Sequence, residues 1–220
     1  MARSPILHFT RDLLPVPGFE TIGRRQLTEA RPGFEKDVHP GSLEICHLAS
    51  GRQTLAVGGE IFSLRGGDVF VTQPGEVHST GGAPREKCLL YWVRLNAGKG
   101  HSPFLNASPD EAESLKGGLL GLPRRFRGNQ ALQQHLEAVL VQFRTRGPFW
   151  KSRAAQHLLS FAIETVLSAK QDPLRKQHPG IQKVLGYLEK NVSENPGLGE
   201  LAAFAGLSTG RFSSQLREAT

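Results

Sequence analysis

Sulfur is scarce in this chain: two cysteines, Cys46 and Cys88, and one methionine among 220 residues. The cysteines stand in separate apolar runs and not in a Cys-x-x-Cys pair, which excludes a disulfide scaffold and a structural zinc site and fits a reducing compartment. No apolar run approaches the length that spans a bilayer, and the opening MARSPILHFTRDLLPVPGFE has no uninterrupted apolar segment of the secretory kind. The expectation is a cytoplasmic protein with no membrane partner. Internal repeats and low-complexity tracts are missing too, which leaves an ordinary globular chain.

Acidic side chains are the minority. Lys and Arg number 27 against 20 Asp and Glu, a net charge of +7, and such an excess favours polyanionic partners. The densest local run is PRRFR, where Arg124, Arg125 and Arg127 follow Pro123. A solvated loop is the expected reading of that run, and a phosphate site the sharper one.

Glycine and proline, by contrast, are plentiful at 25 and 14. From about residue 20 to 96 they punctuate short β-type runs: TIGRRQLT, SLEICHLA, QTLAV, EIFSL, DVFVTQ and KCLLYWVRL. Gly58-Gly59 between AV and EIF marks a two-residue hairpin, because glycine supplies the positive φ that a primed turn needs. Many short strands joined by tight turns predict a sandwich or a small barrel.

The period changes after residue 109. Leu132, Leu136, Val139, Leu140 and Phe143 fall on one stripe of a helix. A second helix is predicted from near Pro148 to Lys170, antiparallel to the first across the Gly147-Pro148 break. These helices are expected to cover the barrel or to form a dimer interface. The polar, proline-broken AKQDPLRKQHPG then reads as a linker. The boundaries that follow are 1–108 for a barrel with an N-terminal arm, 109–170 for a helical dimerisation segment, 171–179 for the linker and 180–220 for a terminal helical unit. Residues 1–18, with Pro5, Pro15 and Pro17, are expected to form a mobile arm.

The terminal unit carries the pattern of two helices meeting at a sharp turn. Ala202 is the small contact, Gly206 the turn, Leu207 the corner plug and Ser208 an N-cap, while Phe212 and Leu216 face inward. The outer face of the last helix offers Thr209, Gly210, Arg211, Ser213, Ser214 and Arg217, with no acid before Glu218. With Ser208 these are the candidate DNA-binding residues, short hydroxyls and arginine being suited to bases and phosphates.

The segments GIQKVLGYLEKN, LGELAAFAGLS and RFSSQLREAT resemble the first half of the AraC-type DNA-binding domain. In that family a second helix-turn-helix follows, so the resemblance implies that the chain is a fragment whose single reader binds DNA weakly. It departs from the family at Gln215, where an apolar residue is usual, and the family's base-contacting positions fall on Gly210, Ser213 and Ser214. The stretch from His39 to His78 is similar to the same family's cupin-type effector and dimerisation barrel. The resemblance therefore implies an α+β protein: an N-terminal cupin-like β-barrel, antiparallel helices, then a three-helix helix-turn-helix unit. It implies a transcription regulator and not an enzyme, a homodimer whose partners are DNA and a small-molecule effector, with a sugar as one candidate.

Effector-binding candidates are His39, Glu44, His78 and Trp92. Strand alternation sends only one of Tyr91 and Trp92 into the barrel. The expectation is no cofactor. An alternative reading rests on spacing, since Asp37, His39, Glu44 and His78 approximate the donor set of metal-binding cupins, with Asp37 in place of their first histidine. Two histidines with one or two carboxylates suit iron, manganese or zinc, and that set would make the chain a metal-dependent dioxygenase or isomerase with a helical extension.

Overall fold

The computed structural model describes residues 6–98, 103–171, 179–191 and 195–219, without the side chains of residues 189, 190 and 217–219. The chain divides into two compact units, Met1–Ala169 and Lys170–Thr220.

The first unit runs β1 (Ile6–Thr10), β2 (Phe19–Leu27), β3 (Leu43–Val57), β4 (Glu60–Arg65), β5 (Asp68–Thr72), β6 (His78–Ser79), β7 (Cys88–Leu95), α1 (Pro109–Leu120), β8 (Arg125–Arg127), α2 (Gln130–Thr145) and α3 (Trp150–Gln171). The strands pair antiparallel in the order β1-β2-β7-β3-β5-β8, while β4 and β6 pair with the far half of β3. SLEICHLA and QTLAV, read as two strands, are one. The register slips between Leu48 and Ser50, and Gly51 takes φ +86°. An extra residue at such a bulge bends the strand and sharpens its twist. The near half of β3 thus lies between β5 and β7, and its far half pairs with β4 and β6. Side chains from both halves, Cys46 and Leu48 with Leu55 and Val57, then meet in one cluster with Leu64, Phe70 and Cys88. The sheet is folded into a cup.

The opposite face of the sheet is buried under the helices. Ile22, Ile45, Val69, Tyr91 and Val93 pack against Leu132, Leu136, Phe143, Leu158 and Phe161 in a single core. Helices α2 and α3 are antiparallel, since His135 lies beside His157 while Phe143 lies beside Trp150. Tyr91 donates to Glu137 of α2, and Arg24 stands 3.6 Å from the same carboxylate. Burial first, and then Glu137, push the Tyr91 phenol up from its ordinary value, so it remains a donor.

Three elements differ from the sequence expectation. Residues 6–10, inside the segment read as a mobile arm, form β1 and pair with β2. Helix α1 begins at a Ser108/Glu111 capping box with Pro109 at its first position, a start signal that short polar stretches hide. The PRRFR run is not a solvated loop: its last three residues form edge strand β8. Asp68 is fully buried, and Arg125 and Arg127 approach it at 3.2 and 2.8 Å while Arg65 N–H donates to it at 2.8 Å. Arg124 pairs with Glu76. A buried carboxylate needs such partners, and these arginines are engaged in holding the sheet.

In the second unit α4 (Pro179–Lys190), α5 (Leu198–Phe204) and α6 (Thr209–Ala219) bury Ile181, Val184, Ala202, Ala205 and Phe212. Gly206 turns the chain at φ +68°, and Leu207 N–H donates to Ala202 C=O at 2.9 Å. That left-handed position favours glycine because no Cβ has to be accommodated. Most of the predicted linker, residues 172–178, lies outside the described residues. No helix among the described residues is long and apolar enough to cross a membrane.

Candidate functional site

Alternation along β7 separates the two faces of the sheet. Tyr91, Val93 and Leu95 are fully buried toward the helices, while Leu90, Trp92 and Arg94 are half-buried on the cup side. Trp92 is therefore the cup-facing aromatic and Tyr91 the core one. The indole lies over Gly23, its cross-strand neighbour. A Cβ at that glycine would stand 2.0 Å from the indole Cζ2, so any larger residue evicts the ring.

The four polar residues singled out by spacing come together at one end of the cup. Asp37 and His78 form an isolated bridge, each backbone N–H donating to the other's carbonyl at 2.8 and 2.9 Å. His39 Nε2 is 3.2 Å from Glu44 Oε2 and 3.7 Å from Asp37 Oδ2, and His78 Nε2 is 3.6 Å from Glu44 Oε1. The imidazoles meet edge to face at 5.2 Å. Side-chain exposure is 9% for His39, 4% for His78 and 13% for Glu44, against 56% for Asp37 at the rim. Burial would raise the Glu44 acid, but the hydrogen bond and charge of His39, the charge of His78 and the Cys46 thiol outweigh it and hold the carboxyl below its ordinary value. It is a carboxylate throughout the neutral range.

Four further residues on this face went unnoticed in the sequence. Arg94 Nη1 donates to His39 Nδ1 at 2.9 Å. Thr21, opposite Arg94, bonds His8 Nε2 of β1 at 2.5 Å. Arg25 places its guanidinium 5.6 Å from the Trp92 ring centre. The signal that could have found Arg94 is period 2: it stands two residues beyond Trp92 and so shares its face. Thr21 and His8 needed the strand pairing itself.

Arginine can only donate, so His39 Nδ1 is the acceptor of the Arg94 bond. The ring proton then sits on Nε2, pointing toward the Glu44 side of the cup. That proton faces the Glu44 carboxylate at 3.2 Å, whereas the buried Nε atoms of Arg94 and Arg25 have no acceptor. An orphaned buried donor is costly, and these two lie on the Trp92 face of the sheet.

Asp37, His39 and His78 also place ligand atoms within 4.8 Å of one another, close enough to share a cation. A metal-bound histidine normally donates its second N–H to an acceptor. Here that position faces the Arg94 donor, so the His39 surroundings do not fit a metal.

In the second unit Ser208 precedes α6, and its Oγ is 3.5 Å from Arg211 N–H. Thr209, Gly210, Arg211 and Ser214 are exposed and Ser213 is half-buried, while the Arg217 side chain lies outside the described residues.

The sheet is folded into a cup with an apolar floor and a polar end, and its back is covered by an antiparallel helix pair. The chain belongs to the AraC-like ligand binding domain family, which residues 24–162 match. No curated protein matches it. Among solved structures it is similar to a predicted oxalate decarboxylase from Thermotoga maritima, at 20% identity over 41% of this chain and 78% of that one, with a TM-score of 0.36. A cupin protein from Bacteroides fragilis is 19% identical over 49% of this chain and 90% of that one, at 0.34. The cupin domain of Schizosaccharomyces pombe Cnp3 is 14% identical over 44% and 66%, at 0.35.

Proposed function

We propose that this protein is a ligand-responsive, sequence-specific DNA-binding regulator of transcription, cytoplasmic and homodimeric, whose effector occupies the cup. The observation that carries the reading is the succession of an AraC-like ligand binding domain and, after residue 178, three helices closed by the Ala202–Gly206–Leu207 corner. The exposed start of α6 presents Thr209, Gly210, Arg211 and Ser214, residue types that suit phosphate and base edges. Helices α2 and α3 supply the dimer contact, with Val141, Ile163 and Leu167 left exposed on their outer sides.

Strand β1 links the cup to those helices. His8 reaches into the cup at Thr21 and Trp92, and Phe9, its neighbour on the opposite face, stacks on Phe143 of α2 at 4.5 Å. An effector that binds one packing of β1 better than another shifts the population of helix arrangements by its differential affinity. The spacing of two DNA readers in a dimer follows from that arrangement.

Fluorescence anisotropy of protein expressed from the natural gene, on the DNA upstream of that gene, is the test. Binding is expected to weaken steeply between about 50 and about 200 mM salt and to fall further in Arg211→Ala. No binding under any of these conditions would exclude the regulator. A second reading, a metal-dependent cupin enzyme, draws on the Asp37, His39 and His78 cluster. Stoichiometric iron or manganese in purified protein, lost in a His39→Ala, His78→Ala double variant, would sink the sensor reading in its metal-free form.

A further inference from the structure

The cup holds two guanidinium groups against one buried carboxylate, Glu44, with Asp37 exposed at its rim. Arg25 and Arg94 face it from β2 and β7 on either side of the Trp92 indole, and neither has a carboxylate within ion-pairing distance among the described residues. Glu44 lies cross-strand from Arg94 and also contacts His39 and His78. His8, a further base on the same face, is held below its ordinary value by burial and then by Arg94. Burial, and then the charge of Arg85, likewise lower Arg25. Both shifts are what burial beside other cationic groups produces, with Glu44 partly opposing it at Arg25.

The unmet bonding capacity has one sign as well. The buried Nε atoms of Arg94 and Arg25 are donors that lack acceptors. A hydroxyl-rich neutral molecule both donates and accepts, and it would leave one guanidinium without a buried counter-charge. A carboxylate only accepts and brings the missing charge, and its bonds to arginine are the stronger, charge-assisted kind. Between the cationic ends lies the flat indole, kept in place by Gly23, a surface for an apolar or ring-shaped body.

Resting on the sensor reading above, we propose that the effector is a small organic anion, its carboxylate held at the Arg94–His39 end of the cup and its body laid on Trp92. Arg25 at the far side of the indole favours a second acceptor group on the same molecule.

Calorimetric titration of the full chain with matched pairs tests this: glucuronate against glucose, and benzoate against benzamide. The charged member of at least one pair is expected to bind at least about tenfold more tightly than its neutral counterpart. Raised salt should weaken that member selectively. Arg94→Gln should abolish the difference within the pair, and Arg94→Lys should retain part of it. Arg25→Gln gives the same comparison should an Arg94 variant fail to fold. Neutral members binding as well as the acids overturns the anion proposal, and so does saturable binding by none of the four up to about 10 mM. Either result leaves the sensor reading to stand or fall on the DNA titration, so the two failures are distinguishable.

Discussion

Phe143→Ala is expected to destabilise the first unit by about 3–5 kcal/mol, the usual loss when a buried phenylalanine is truncated and its cavity only partly collapses. Phe143 is 2% exposed and is a junction of rings: Phe9 stacks on it within 4° of parallel, Phe19 lies at 6.5 Å and Trp150 at 5.5 Å. The consequence reaches beyond stability, because Phe9 belongs to β1 and Phe143 to α2. Without the ring, β1 keeps its backbone pairing with β2 but loses its hold on the helix. Amides of β1 should then exchange with solvent much faster than those of β7, which is paired on both sides. Both tryptophans, Trp92 and Trp150, lie in the first unit, so tryptophan fluorescence during urea unfolding reports this unit. A loss under about 1 kcal/mol, or unchanged exchange in β1, would show that the ring cluster is not the link between strand and helix.

The second large effect is acid sensitivity centred on His47. This residue faces the helices from β3, is 3% exposed and stacks on Tyr91, and its Nδ1 has no hydrogen-bond partner. Burial lowers its pKa to about 4 from 6.5, with Asp68 partly opposing the shift and Arg127 adding to it. Below 6.5 the unfolded chain takes up a proton that the folded chain refuses, so stability falls with pH across this window and the loss is complete near pH 4. The difference of about 2.5 units corresponds to roughly 3 kcal/mol. Urea unfolding at about pH 7 and about pH 5 should show about 2 kcal/mol lost through His47. His47→Phe keeps a flat ring and should remove that part. His8 and His157 are also lowered, each by burial first, and they leave a residual slope in the variant. Glu44 acts in the same sense but at lower pH. Its depressed acid contributes stability above the ordinary carboxyl range and loses it only as pH falls further, so a comparison stopped at about pH 5 isolates the histidines. Equal pH dependence in wild type and His47→Phe would contradict the assignment.

Legibility in the sequence followed the range of the interaction. The helical stripe from Leu132 to Phe143 and the Gly58-Gly59 turn were readable because their causes lie within a few residues. The convergence of Asp37, His39, Glu44 and His78 was partly readable, because spacing along strands of known period limits where side chains point. Arg94, Thr21 and His8 were not, since their meeting depends on which strand pairs with which and in what register. The Arg125–Arg127 run misled for the same reason: its partner Asp68 lies 57 to 59 residues away in the chain, and only the pairing of β8 with β5 brings them together.

Local chemistry in the sequence was thus enough to set the helices, the turns, the two-part organisation and the polar residues of the cup, since periodicity and glycine placement act over short distances. The tertiary structure alone decided that β3 is one strand bent through two pairings, that an arginine run braces the sheet and that β1 ties the cup to α2. It also decided the sign of charge in the cup. Strand pairing sets Arg25 and Arg94 against a single buried carboxylate, Glu44, and that pairing is a property of the folded sheet that no local pattern encodes.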